Sequence, residues 1–330
     1  MVPFLWPIKM GDFKPVMVGN YTIADRPSDV SIRYIVIHAT ELSYADTIAR
    51  FQSPHHVSAH TVIRGADGQQ TGMVTPDNVA WHAGNWDMNC RSLGIEQEAY
   101  VDDAASFTGP MMAALVDQIL TWSVQYHISL DRAHILGHDN VAAPSREAAK
   151  QMHRDPGWQF DWAQLFRQLG VSAEPSAPVN SGQALKITSR YVNLFQQPSV
   201  TSEVIGQTTD SLSYRASYGQ EFVCVAQHGD WLAIDFNGQQ AWLNRKDAVG
   251  VQRPILTVDQ EPVNLYGSTQ PDAAAIGELQ SGEQYVISDT LTGLKASDTT
   301  GHLSAVETND VFQQIWYGHR IGYVKISKSN

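Results

Sequence analysis

The sequence predicts an α/β fold, a mixed central sheet flanked by helices, followed by two small all-β barrels. Two observations support this prediction. In the first half of the chain, apolar runs rich in β-branched residues alternate with segments of helical spacing. The second half instead contains short alternating segments separated by Gly, Asn and Asp, and one of its motifs occurs twice.

The composition changes at SAEPSAPVNSGQA, residues 172–184, where two prolines and small polar residues replace large apolar side chains. Such a stretch is typical of a linker. We therefore predict a first domain at 1–170, a linker at 171–186, a β unit at 187–250 and a second at 251–330. A chain of 330 residues suits this division, because domains usually hold about 100 to 200 residues.

The first domain supplies its predicted elements in an alternating order. RYIVIH (33–38) is a β-branched run that predicts a central strand ending at His38. The pattern of the following segments predicts a helix at ADTIARFQ (45–52), two strands within 56–74 and a strand at SLGIEQEAY (92–100). GPMMAALVDQILTWSVQYH, ending at residue 127, has a helical apolar face, and RAHILGH (132–138) predicts a strand that again ends in histidine.

The C-terminal half contains a weak internal repeat. VNLFQQPSVTSEVIGQ (192–207) is echoed by VNLYGSTQPDAAAIGE (263–278). Each copy is followed by a short apolar strand, EFVCV or QYVIS, and later by an aromatic-glycine strand. The second copy is interrupted by the polar insert TGLKASDTTGHLSAVETND. The repeat predicts two related β modules.

Charge and hydropathy limit the classes of partner. With 22 basic and 34 acidic residues the net charge is −12, which opposes binding to nucleic acid. The sequence contains no run of 18 or more apolar residues, so we predict no membrane span. The opening MVPFLWPIKMG lacks a basic start and contains two prolines, so we do not expect it to be an intact signal peptide. Cys90 and Cys224 fall in different predicted domains, and we expect small buried thiols rather than a disulfide.

Nine of the twelve histidines precede the linker, which places the predicted reaction centre there. His38 and His138 each close an apolar strand, so both are expected at the same edge of one sheet. A catalytic zinc takes three His or carboxylate ligands and leaves a fourth position for water. Asp155, in HRDPGW, is a candidate third ligand, and Pro156 and Gly157 would limit the movement of the chain after it. Spacing alone leaves open that these are ordinary structural residues.

Six ordered motifs carry a resemblance: IVIHATE, VSAHTVI, AWHAGN, SLGIEQE, ILGHDN and HRDPGWQFDW. Over about residues 30–166 the chain resembles the zinc-dependent N-acetylmuramoyl-L-alanine amidases of the type-2 family, kin to peptidoglycan recognition proteins. The resemblance implies that His38, His138 and Asp155 bind Zn2+. It also implies that Glu96 is the general base and that His153, at a position where many relatives have lysine, is a second catalytic residue. His82 and Asn85 are candidate substrate contacts.

Each of these roles has a simpler alternative. Glu96 would otherwise be a strand residue paired with a surface base, and His153 would only orient Asp155. His82 would be a packed turn residue. Two departures from the family also bear on the cleft. Thr61 stands where relatives commonly carry an aromatic residue, and SREAAKQM lengthens the path to HRDPGW, which predicts an extra loop or short helix bordering the site.

The resemblance implies a peptidoglycan hydrolase that uses zinc-activated water to cleave the amide bond between N-acetylmuramic acid and L-alanine. The alternatives are a non-catalytic peptidoglycan-binding protein, a phage-type lysin or a cytoplasmic muropeptide-recycling amidase. The repeats resemble bacterial SH3-like domains, which would hold the enzyme on the glycan strand and stem peptide or act as spacers docked on the catalytic domain. We therefore expect a secreted protein, or one associated with the cell wall or periplasm.

Overall fold

The computed structural model describes residues 13–173, 175, 177–259 and 261–326. The opening segment MVPFLWPIKMG, and with it the expectation about a signal peptide, therefore lies outside the described residues. In the described part of the chain, no helix is both long enough and apolar enough to cross a membrane.

The N-terminal domain alternates strands and helices, as the sequence predicts. Its strands are β1 (Tyr21–Thr22), β2 (Tyr34–Ala39), β3 (Thr61–Ile63), β4 (Gln70–Gly72), β5 (Val79–Ala80), β6 (Ser92–Gln97) and β7 (Ile135–Gly137). Its helices are α1 (Tyr44–Phe51), α2 (Trp86–Arg91), α3 (Gly109–Tyr126) and α4 (Trp162–Gln168). Each strand and helix predicted in the first domain is present within a few residues of its expected bounds.

The central sheet has the strand order β4-β3-β6-β2-β7. Strands β3, β6, β2 and β7 pair in parallel, and β4 is antiparallel to β3, so the sheet is mixed as predicted. Strand β2 is buried along its whole length because the sheet is covered on both faces. Helix α3 packs its apolar face on the sheet, in one core with Ile35, Ile37 and Ile95.

Local sequence sets the helix ends. The side chain of Ser43 accepts a hydrogen bond from Asp46 N at the start of α1, and Thr108 caps α3 in the same way through Met111 N. Helix α3 carries Pro110 in its first turn, where the missing N–H costs nothing. It ends at His127, whose φ of 57° is left-handed.

Residues 184–251 form a β unit of three small antiparallel sheets, ordered β11-β8-β15, β10-β9 and β12-β13-β14. The strands are β8 (Ala184–Ile187), β9 (Tyr191–Asn193), β10 (Arg215–Ser217), β11 (Glu221–Val223), β12 (Ala226–His228), β13 (Trp231–Phe236), β14 (Gln239–Asn244) and β15 (Ala248–Val251). Strand β8 begins inside the segment predicted as a linker, and Val179 is buried. That segment is therefore partly packed against the fold.

Residues 255–326 form a six-stranded sheet with the order β16-β19-β20-β21-β17-β18. The strands are β16 (Ile255–Thr257), β17 (Val263–Tyr266), β18 (Ala275–Leu279), β19 (Gln284–Thr299), β20 (His302–Tyr317) and β21 (Arg320–Ile326). The polar insert seen in the sequence makes up the outer part of the hairpin β19–β20, whose strands have 16 residues each.

The C-terminal β structure shares a core with the N-terminal domain. Tyr34, Val36 and Leu136 of the central sheet belong to the same buried cluster as Phe222 and Trp316. Polar contacts reinforce this packing, because Tyr34 Oη donates to Gln314 Oε1 over 2.9 Å and Arg33 Nη2 lies 2.6 Å from Asp289 Oδ2. The β structure is therefore docked on the N-terminal domain, and whether it also binds the cell wall stays a prediction.

Candidate active site

The three predicted metal ligands meet at one edge of the central sheet. Strands β2 and β7 pair in parallel with Ile37 opposite Gly137, so His38 and His138 leave the sheet side by side. His38 Nδ1 lies 3.1 Å from His138 Nδ1. Asp155 presents Oδ2 at 3.2 Å from His38 Nδ1 and Oδ1 at 3.2 Å from His138 Nδ1. All three residues are buried.

These distances fit a shared cation. Ligand atoms bonded at about 2.0–2.1 Å to a tetrahedral zinc lie about 3.3 Å apart, close to the separations within this group. Two imidazole nitrogens and one carboxylate form a donor set typical of zinc. In the part of the chain that the structure describes, this is the one group of three such residues with ligand atoms within 4.8 Å of one another.

The protonation states also suit metal binding. Burial, with the neighbouring His138, lowers the pKa of His38 to about 4, so its ring is neutral near pH 7. Burial opposes ionisation of Asp155, but the adjacent His138 and His38 hold the pKa of its carboxyl well below the usual value. A neutral imidazole and an ionised carboxylate are the forms that bind a metal ion.

Glu96 lies beside the ligands. It is the register partner of His38 on β6, so both side chains project from the same face of the sheet. It lines the same cleft as His138 and Asp155. Burial, with a smaller contribution from the charge of Asp155, raises the pKa of Glu96 to about 8. A carboxyl with such a pKa can take up and release a proton near neutral pH.

His153 stands at the mouth of the site. Its ring stacks on that of His138 with centroids 4.7 Å apart, and its Nδ1 lies 3.8 Å from Asp155 Oδ1. The side chain is 70% exposed. Partial burial, together with His138, lowers its pKa despite the opposing effect of Asp155. The imidazole is therefore mostly neutral at pH 7, unlike a lysine at the same position.

His82 is largely buried beside His38, and it also lines the cleft. Its Nδ1 lies 3.0 Å from His38 Nε2, and its Nε2 lies 3.1 Å from the hydroxyl of Ser92. The Ser92 hydroxyl donates to the carbonyl of Met88 over 2.6 Å. If His38 binds a metal ion through Nδ1, its Nε2 carries the ring proton and donates a hydrogen bond to Nδ1 of His82. The chain of hydrogen bonds then has one consistent direction.

Asn85 begins helix α2, where its Oδ1 accepts a hydrogen bond from Met88 N. Its Nδ2 donates to the carbonyls of Ala142 and Gly267, at 2.9 and 2.7 Å. The amide therefore joins the helix to the C-terminal sheet, and substrate contact by Asn85 and His82 stays a prediction. The inserted segment SREAAKQM does border the site, since Gln151 and Met152 line the cleft.

Two residues near the site were not recognised from the sequence, His319 and Arg320 at the start of β21. Arg320 donates to the carbonyls of His138 and His153, at 3.3 and 3.0 Å. His319 Nε2 lies 3.1 Å from Asp139 Oδ2. The C-terminal sheet thus holds the backbone of both loops that carry the candidate ligands. No local motif marks these residues, because their partners lie more than 160 positions away in the sequence.

Comparison with known proteins agrees with this geometry. The sequence model of the family described as N-acetylmuramoyl-L-alanine amidase matches residues 28–158. Over these residues the chain is similar to that family. N-acetylmuramoyl-L-alanine amidase A of Achromobacter lyticus is 29% identical to it over 174 residues, which cover 48% of this chain and 92% of that protein. The 1,6-anhydro-N-acetylmuramyl-L-alanine amidase AmpD of Enterobacter cloacae is also 29% identical, over 49% of this chain and 85% of that protein.

Solved structures similar to the amidase domain include E. coli AmiD in complex with anhydro-N-acetylmuramic acid-L-Ala-D-gamma-Glu-L-Lys. That match has 24% identity and a TM-score of 0.36, and covers 45% of this chain and 66% of that chain. AmpDh3 of Pseudomonas aeruginosa matches with 23% identity and a TM-score of 0.35, over 45% of this chain and 63% of that chain. The present chain thus spans just under two thirds of these two solved chains. The family match and the curated relatives confirm the prediction of a peptidoglycan amidase.

Proposed function

We propose that the chain hydrolyses the amide bond between N-acetylmuramic acid and the L-alanine of the stem peptide, using Zn2+ held by His38, His138 and Asp155. The observation that carries this proposal is the convergence of these three side chains beside Glu96 in an amidase domain. A protein that only binds peptidoglycan has no need for a partly buried carboxyl with a pKa of about 8 next to a ligand set.

The residues of the chain divide the chemistry among them. When bound, zinc supplies a Lewis acid that polarises the amide carbonyl and makes water more acidic. Glu96 accepts the proton of the attacking water and returns it to the leaving amine, a role that requires a carboxylate in reach of both. His153, neutral at pH 7, donates an N–H hydrogen bond to the oxygen that becomes negative in the tetrahedral intermediate. His82 holds the ring of His38 in its ligating orientation.

Glu96→Gln tests the proposal. The variant should retain one zinc per chain, because the ligands are unchanged, while its rate of releasing L-alanine amino termini should fall by about 100-fold or more. Glu203→Gln, on the exposed surface of the β unit, is the matched control and should keep full activity. Elemental analysis and an amine assay on purified sacculi measure both properties. Zinc-loaded wild-type protein that binds sacculi without releasing new amino termini would refute catalysis.

We further propose that residues 187–250 are an SH3-like module and residues 251–330 a second, related one. We propose that the protein acts on insoluble cell wall, outside the cytoplasm. The alternating strands β8–β15 and the sequence repeat support the two modules. Cell fractionation tests the location. A ratio of activities on intact sacculi and on soluble anhydro-muropeptides tests the substrate form, since a recycling amidase would favour the soluble fragments.

A further inference from the structure

The tip of the β19–β20 hairpin, residues 298–302, is far from the rest of its own sheet. Thr300 and Gly301 have φ values of 56° and 84°, and they connect Thr299 directly to its partner His302. Two successive residues with positive φ make the tight turn that two long antiparallel strands require. The strands carry this tip across the amidase domain.

The tip is fixed on the amidase domain by hydrogen bonds. Ile23 N donates to the carbonyl of Gly301 over 2.8 Å, and Leu303 N donates to that of Ile23 over 2.8 Å. Asp298 accepts from the Thr22 hydroxyl at 2.5 Å and from Gly301 N at 2.7 Å. Such a network gives the tip one defined position.

The tip forms a wall of one arm of the active-site cleft, which we call the aromatic arm. It is a cavity of about 900 Å³ that reaches from His138 and His153 to the hairpin tip. Its side walls carry Tyr21, Trp81 and Trp86. Trp86 Nε1 donates to the carbonyl of Ala296, so the hairpin orients this ring directly. Trp81 Nε1 donates to the hydroxyl of Thr22 in β1, which in turn donates to Asp298 of the hairpin. Among the described residues that line this arm, Asp298 is the one carboxylate, and none is Lys or Arg.

A second arm meets the aromatic arm at His82, His138 and His153. It has a volume of about 710 Å³, and beyond the ligand group and Glu96 its charged lining residues are the cations Arg50 and Arg154 and the carboxylates Glu41 and Asp102. A substrate cleaved at the amide bond has a sugar half and a peptide half, which must leave the metal site in different directions. The stem peptide carries carboxylates, which guanidinium groups bind well. The sugar half offers C–H faces that pack on aromatic rings and hydroxyls that donate to a carboxylate.

We propose that the hairpin tip, with the aromatic arm, is a binding site for the glycan strand on the sugar side of the cleaved bond. The inference rests on the amidase function proposed above. It gives the C-terminal sheet a direct part in substrate selection, in addition to any contact with the wall. An anionic stem peptide suits this arm poorly, because it would face Asp298 without a compensating cation.

His302→Ala tests the proposal at the tip. His302 is exposed and lines the arm. Glu307→Ala is the matched control, because Glu307 is an exposed residue of the same strand that does not line the arm. The probe is a stem-free oligosaccharide of alternating N-acetylglucosamine and N-acetylmuramic acid, and calorimetry measures its affinity without turnover. The wild type and Glu307→Ala should bind it equally, and His302→Ala about 10-fold more weakly, as expected for the loss of one well-placed contact.

Kinetics on two substrates with the same stem peptide complete the test. For a substrate with four sugars, His302→Ala should raise KM about 10-fold with kcat unchanged, the pattern of lost uniform binding. For a substrate with one sugar, KM should not change. An oligosaccharide that fails to bind wild type, or binds both variants alike, overturns the glycan site. An equal rise in the KM of His302→Ala on both substrates would also overturn the glycan site. Absence of turnover by wild type on any substrate would instead count against the amidase function and leave the calorimetric result to decide this site.

Discussion

The contact between His134 and two aspartates should make the attachment of the C-terminal sheet depend on pH. His134 Nδ1 lies 2.7 Å from Asp131 Oδ1, and its Nε2 lies 3.4 Å from Asp289 Oδ2 of strand β19. Burial alone would lower the pKa of His134, but the hydrogen bonds to Asp131 and Asp289 outweigh it and raise the pKa from 6.5 to about 9. The folded protein therefore holds a proton here that the unfolded chain releases.

The size of the effect follows from this pKa difference. The stabilisation is fully present below pH 6.5 and is lost as the pH rises through about 9. A pKa shift of this size corresponds to about 3 kcal/mol as an upper value, which the exposure of Asp131 to solvent reduces to about 1–3 kcal/mol. His134→Gln should remove this contribution to the free energy of unfolding.

Urea unfolding of wild type and His134→Gln between pH 6 and pH 10 measures the free energy of unfolding and tests this prediction. The difference in unfolding free energy should be largest near pH 6 and shrink toward zero above pH 9, because wild type then loses its charge too. His55→Gln, on the exposed surface, is the control and should show no such trend. A difference that stays constant with pH, or grows as pH rises, would refute the argument from the His134 charge.

Two further substitutions test contacts near the site. Gly94→Ala would place a Cβ 2.6 Å from Cγ of His82, so the ring must shift from its position against His38, and zinc affinity measured by competition with a chelator should fall by about 10-fold or more. Unchanged affinity in the folded variant would contradict the orienting role of His82. Asp87→Asn removes the buried partner of Arg91, whose Nε lies 2.9 Å from Asp87 Oδ1, and weakens the hydrogen bonds from Thr269. The variant should lose about 3–5 kcal/mol of stability in urea unfolding, and a loss below 1 kcal/mol would argue against this buried pair.

The amidase domain was predictable because its signals are local. An apolar strand followed by histidine occurs twice, and parallel pairing then puts His38 and His138 together without further information. Glu96 needed the family resemblance, since one acidic residue on a strand has many ordinary explanations. Its pairing with His38 gives the physical reason for its place.

The contribution of the C-terminal sheet was not predictable in the same way. Strands β19 and β20 extend through a polar insert because much of their outer part is exposed to solvent and needs no apolar alternation. Arg320 and the hairpin tip act on residues more than 160 positions earlier in the chain. Contacts at such distances follow from how whole sheets dock, which single-sequence periodicity does not encode.

The core shared by the two halves of the chain limits how the protein can be shortened. Tyr34, Val36 and Leu136 bury their side chains against residues beyond position 184. A fragment ending at the family boundary near residue 158 would present these groups to water and invite aggregation. Hybrid amidases assembled from this chain should therefore transfer the amidase domain and the β regions together, as one unit.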